Sequence, residues 1–149
     1  MIVVEIPGEP VPKDRPRFRA VTARDGRSFV NVYTDAKTRA FEKALALTAK
    51  VAMRGKQPLQ GPLMAAVTAF MGVPVSWSAK KRDSALAGVI RPTGRPDWDN
   101  VAKSGLDALN GIVFLDDSQI VKAAVEKLYS ETPMLRIEVH PLETMLGEN

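Results

Sequence analysis

The sequence has no cysteine and a single histidine, His140. The first absence excludes disulfides, thiolate nucleophiles and every zinc site that needs sulfur, and it suits a reducing cytoplasm. The second excludes a multi-histidine metal site, so any metal here would be a hard cation held by carboxylate oxygens. No apolar run approaches the roughly 18 residues of a membrane span, and Met1 to Ile6 is too short for a signal peptide, so a soluble, untargeted, cytoplasmic chain without membrane contact is expected. No Walker loop and no dinucleotide fingerprint occurs, which leaves no motif for an organic cofactor. What remains is 149 residues of ordinary globular composition, the length of a single domain spanning residues 1–149.

The formal net charge of +4 conceals a segregation. Lys13, Arg15, Arg17, Arg19, Arg24 and Arg27 face only Asp14 and Asp25 in the first belt. Lys80, Lys81, Arg82, Arg91 and Arg95 face only Asp83 in the second. Each belt carries +4, and the rest of the chain carries −4. Two basic belts on a mildly acidic body describe a polyanion-binding surface, although solvated loops would look the same on charge alone.

Hydrophobic periodicity gives an α/β (α+β) domain with one mixed β-sheet and two principal helices. Ile2 to Ile6 reads as an opening strand, stopped by Pro7, Gly8, Pro10 and Pro12; Arg15 to Arg19 falls in the extended loop that follows or just after it. Ser28 to Tyr33 reads as another strand, with a turn at Asp25-Gly26. A helix capped by Thr34 or Asp35 carries Ala40, Phe41, Ala44, Leu45, Thr48, Val51 and Ala52 at helical spacing. Leu63 to Val73 reads as a central strand, and Ser78 to Ala87 as a short helix. A second principal helix runs from Asn100 to Leu109 with Asp99 as its cap and Val101, Ala102, Leu106 and Leu109 on its buried side. Gln119 to Tyr129, alternating through Val121, Ala123 and Val125, and Leu135 to Val139 are expected to form an antiparallel hairpin about Pro133. The acidic tail, Glu143 to Asn149, is expected to fray.

Chemistry concentrates in Pro96-Asp97-Trp98-Asp99-Asn100-Val101-Ala102-Lys103. Asp97 and Asp99 leaving an extended segment would share a face by the period of two, with Lys103 one helical turn beyond. A second acidic pair, Asp116-Asp117, follows the helix and could return beside its start. Clustered carboxylates repel by roughly 4 kcal/mol per close pair at an effective dielectric near 20, which a divalent cation relieves. Magnesium takes oxygen ligands and keeps waters, leaving positions for a phosphate and an attacking water. With basic belts to hold a phosphodiester backbone, the reaction inferred is metal-assisted hydrolysis of nucleic acid, Lys103 orienting a water or stabilising the developing charge. Each piece also has a plainer role: Asp99 as a cap, Asp116 and Asp117 as turn residues, Lys103 as a solvated charge, Trp98 as a packing residue or a platform for a base.

At these residues the chain resembles the RusA family of Holliday junction resolvases, often encoded by phages and prophages. The resemblance runs through Arg95-Pro96-Asp97-Trp98-Asp99-Asn100, Lys103, Leu106-Asp107-Ala108-Leu109-Asn110-Gly111 and Phe114-Leu115-Asp116-Asp117-Ser118-Gln119-Ile120, and more loosely through Lys13-Asp14-Arg15-Pro16-Arg17-Phe18 and Val32-Tyr33-Thr34. It implies a magnesium-dependent endonuclease, homodimeric, that cuts a four-way DNA junction in recombination and repair. It further implies Asp97, Asp99 and Asp117 as metal-binding carboxylates, Asp116 as a weaker candidate, and Lys103 as the catalytic lysine. Lys13, Arg15, Arg17, Arg19, Lys80, Lys81, Arg82, Arg91 and Arg95 are then the phosphate-holding bases. Val75 to Arg95 departs from the shorter members, as an additional DNA-contacting flap or a structural excursion. Two alternatives come from the residues themselves: a non-catalytic DNA-binding protein, and a metal-dependent nuclease acting on flaps or RNA.

Overall fold

The computed structural model describes residues 1–13, 17–33 and 36–142. The chain forms β1 (Ile2–Pro7), β2 (Arg17–Thr22), β3 (Ser28–Tyr33), α1 (Ala36–Met53), β4 (Leu63–Gly72), α2 (Ala79–Leu86), α3 (Trp98–Asp107), a 3₁₀ turn (Asp117–Gln119), β5 (Ile120–Ser130) and β6 (Met134–Pro141). The main sheet has the order β1-β6-β4-β5, and β2 and β3 make a separate antiparallel ribbon. The fold is thus a mixed α+β arrangement with one four-stranded sheet, as the periodicity predicts, and α2 matches the short helix expected from Ser78 to Ala87.

β4 lies inside the sheet because both its faces have cover. Leu63, Ala65, Val67 and Ala69 are buried, and the residues between them are half-buried. It pairs antiparallel with β6 and parallel with β5. The expected β5–β6 hairpin is therefore corrected: β4 stands between the two strands. A parallel pair needs a long crossover. Here the crossover is the whole segment from Gly72 to Ile120, which contains α2, α3 and nearly all the residues singled out for chemistry. β5 is an edge strand, and Val121 is 62% exposed, so its Val121 and Ala123 are not the buried stripe that alternation suggested.

One face of the sheet is covered by α1 and α3. Leu45, Ala49 and Met53 of α1, Val101 of α3, and Leu109, Val113 and Phe114 beyond it join Val4, Val67, Leu135, Ile137 and Val139 in one core. Ala40, Ala44 and Val51, expected on the buried stripe of α1, face solvent instead. The helix has turned so that Thr38, Leu45, Ala49 and Met53 lie inward. The proposed caps of that helix, Thr34 and Asp35, lie outside the described residues, as does the acidic tail. Gly105 brings α3 against β6: a Cβ there would stand 2.7 Å from Ile137 Cδ1 and 3.3 Å from Leu135 Cδ2.

Candidate active site

α3 begins two residues earlier than its sequence pattern suggested. Asp97, not Asp99, is the N-cap, with extended backbone (φ −67°, ψ 146°) and a carbonyl that accepts from the Val101 N–H at 3.2 Å. Asp99 is the second helical residue, in the first turn, where its charge favours the helix dipole. The two aspartates therefore do not leave a common extended segment as expected. They flank the first residue of a helix, and Lys103 follows Asp99 at the i,i+4 spacing that shares a helix face.

The Asp97 carboxylate makes no capping hydrogen bond. An N-cap aspartate ordinarily accepts from the second or third helical N–H. Here its oxygens are left exposed and available. The loop in front of it is fixed from the sheet: Lys127 Nζ on β5 donates to the carbonyls of Gly94 at 2.9 Å and Pro96 at 3.0 Å. Lys13 fixes the other side, its N–H donating to the Asn100 carbonyl at 3.2 Å and its ammonium to Glu42 Oε1 at 2.6 Å.

The second acidic pair divides into two roles. Asp116 caps the 3₁₀ turn, accepting from the Ser118 N–H at 3.2 Å, while Gln119 Oε1 accepts from the Asp116 N–H. Hydrogen bonding by Ser118 holds the Asp116 carboxyl below its ordinary value. Asp117 makes no side-chain hydrogen bond or ion pair among the described residues. Gln119 Nε2 also donates to the carbonyls of Leu59 and Gly61, tying this turn to the entry of β4.

The two acidic elements meet β5 at different levels. Pro96 is held at Lys127, and Asp117 precedes Ile120, the first residue of β5. Seven residues at about 3.3 Å each place these levels on the order of 20 Å apart along the strand. Consistent with that, no group of three or more His, Cys, Asp or Glu among the described residues is arranged to hold a metal ion. The donors themselves fit a hard cation: Asp97 and Asp99 are exposed, Asp117 is half-buried, and none of the three carboxylates has a competing hydrogen bond among the described residues.

The bases also divide. Lys13 is an internal tie, its ammonium shared between Glu42 and Asp107 (3.6 Å), and the hydrogen bond to Glu42 pushes its pKa up. Lys103 reaches the same Asp107 oxygen at 3.6 Å but is itself 62% exposed. Arg91 pairs with Glu126 at 2.7 Å, and Lys81 lies 3.9 Å over the Trp77 ring. Arg19, Lys80, Arg82 and Arg95 make no ion pair among the described residues, so they remain open to phosphate. Arg17 starts the β2–β3 ribbon, and Arg15 lies outside the described residues. Sequence reasoning missed Lys127 and Asp107, whose roles depend on partners distant in sequence or shared with another lysine.

The family model for the endodeoxyribonuclease RusA matches residues 7–140. The chain belongs to the RusA endodeoxyribonuclease family. It is also similar to the Bacillus subtilis (strain 168) protein described as uncharacterized protein YqaN, 40% identical over 134 residues and 89% of each chain. RusA membership makes the expected chemistry that of a hydrolase acting on DNA, and the match takes in both acidic elements, Lys103 and both basic belts. Among the described residues no helix is long and apolar enough to cross a membrane.

Proposed function

We propose that this RusA-family chain is a magnesium-dependent endonuclease that resolves four-way DNA junctions by phosphodiester hydrolysis, in recombination and repair, in the cytoplasm. The observation that carries this reading is the start of α3, where Asp97 and Asp99 are exposed, accept no side-chain hydrogen bond among the described residues and are flanked by Arg95 and Lys103. Structural caps would be hydrogen-bonded. These are not.

Asp97 and Asp99 would hold the cation with Asp117, and the capping role of Asp116 supports Asp117 as the ligand of that pair. Because the α3 start and Asp117 meet β5 at levels on the order of 20 Å apart, a site containing all three would draw them from two copies, Asp97 and Asp99 from one and Asp117 from the other. That supports the homodimer and gives it a chemical purpose; a dyad would also set two such sites against two symmetric strands of a junction. A bound divalent cation supplies charge neutralisation at the phosphate and a more acidic water. Lys103, already turned along the Asp99 face, would leave its long contact with Asp107 to meet the charge developing on the phosphate oxygens. Lys80, Arg82, Arg95 and the Arg17 and Arg19 ribbon would hold the flanking phosphates, whereas Lys13 and Arg91 maintain the architecture.

The test incubates the purified protein with labelled four-way junction, flap, duplex and RNA, with and without magnesium. Paired nicks confined to the junction and dependent on magnesium support the reading. Magnesium-dependent cutting of flaps or RNA would move the substrate, and shifted but uncut DNA would leave a binding protein.

A further inference from the structure

Trp98, which the sequence offers as a packing residue or a platform for a base, has no role in the proposed function. It is the first residue of α3, lies between Asp97 and Asp99, and is 61% exposed. Tryptophan is highly buried on average, because so large an apolar surface gains most by leaving water. The other tryptophan, Trp77, behaves that way: its ring meets Tyr129 edge-on at 5.3 Å and is covered by Lys81. Trp98 is instead presented to solvent from a fixed base. Lys127 holds the two carbonyls just before it, and the Asp97 carbonyl after them opens the helix. With the backbone held, ordering the indole against a partner costs only two side-chain torsions.

The neighbours define that partner. Two carboxylates repel a phosphate at this spot unless a cation is present, and the exposed Arg95 lies three residues before the ring. An uncharged flat surface attached to a polyanion suits both. In a duplex the faces of the bases are covered by their neighbours, so an indole finds a free face only where a base is unpaired or unstacked.

We infer that the Trp98 indole stacks on a nucleobase left unpaired or unstacked at a branch point, beside the phosphate served by Asp97 and Asp99. This rests on the nuclease reading, and it adds a residue that recognises the branch by its exposed base. The foothold requires no metal, since stacking is independent of the cation.

The experiment uses the full chain in EDTA, where nothing is cut. Trp77→Phe leaves Trp98 as the single indole. A four-way junction or a one-nucleotide gapped duplex should quench its emission at saturation, and a duplex with closed ends should leave it largely unchanged. Trp98→Ala should weaken junction binding roughly 5- to 150-fold, from about 1–3 kcal/mol per stacked base. Trp98→Phe should keep most of the affinity, and should lose the quenching seen in the otherwise unsubstituted protein, which serves if Trp77→Phe fails to fold. Unmoved Trp98 emission at saturating junction, equal quenching by the closed duplex, wild-type affinity of Trp98→Ala, or a change of oligomeric state in that variant would each overturn the inference. A protein that cuts DNA with magnesium while Trp98 emission stays still keeps the nuclease reading and loses this one; a protein that neither binds nor cuts DNA loses both.

Discussion

Gly105→Ala tests how closely α3 lies against the sheet, and hence where Asp97 and Asp99 stand. On an open helix surface the substitution would stabilise by about 1 kcal/mol through helix propensity. Here the added methyl would sit 2.7 Å from Ile137 Cδ1 and 3.3 Å from Leu135 Cδ2. Carbon atoms pack at about 3.5–4.0 Å, so roughly 1 Å must be found. Ile137 and Leu135 are themselves fully buried, so neither can yield without displacing the core. Overpacking of this kind costs about 1–3 kcal/mol. The balance is a net loss near 1 kcal/mol, read as a urea midpoint lower by about 0.5 M at a slope near 2 kcal/mol/M, or a Tm lower by about 2–4 °C. Gly105→Val should lose more. If α3 yields outward instead, the aspartates at its start move with it, and cleavage should fall further than stability explains. A gain of about 1 kcal/mol in Gly105→Ala would refute the packing and the placement of the site that depends on it.

Mixing inactive Asp97→Asn and Asp117→Asn proteins should restore nicking: a mixed dimer with shared sites has one intact site, so an equal mixture regains about a quarter of the wild-type sites. Sites contained in one chain would stay dead in every combination. Lys80→Ala with Arg82→Ala should weaken junction binding and lower the slope of log affinity against log salt by about 2; an unchanged slope would remove these residues from the phosphate contacts. Asp116 is held below its ordinary carboxyl value by Ser118, so its cap contributes stability above that value and loses it as pH falls through the lowered pKa. Asp116→Asn, which resembles the protonated form, should therefore be less stable than wild type at pH 7, by a margin that closes as pH falls through the lowered pKa. A difference that persists unchanged as pH falls would contradict the capping role.

The local features were legible because their causes are local. Ser78 accepts from the Lys81 N–H and starts α2 where the sequence placed it. The Asp25-Gly26 turn joins β2 to β3, with Gly26 at φ +84°. The start of α3 was misplaced because Asp97 and Asp99 are both good cap residues, and only the three-dimensional path after Pro96 chooses between them. The hairpin was misassigned for a similar reason: two alternating stretches about Pro133 look like hairpin strands, and nothing nearby announces that β4, about fifty residues earlier, enters between them. The ties at Lys13 and Arg91 were illegible on principle. Their carboxylate partners lie 29 and 35 residues away, so charge counting could not separate structural bases from those open to DNA.

The most direct measurement follows binding and single-turnover cleavage of a labelled four-way junction by wild-type protein and Asp97→Asn in the same samples, with magnesium present. The account predicts that the variant binds within a few-fold of wild type and cuts at least about a hundredfold more slowly, as expected when a group acting in the transition state is removed. Cleavage by Asp97→Asn at the wild-type rate would contradict it.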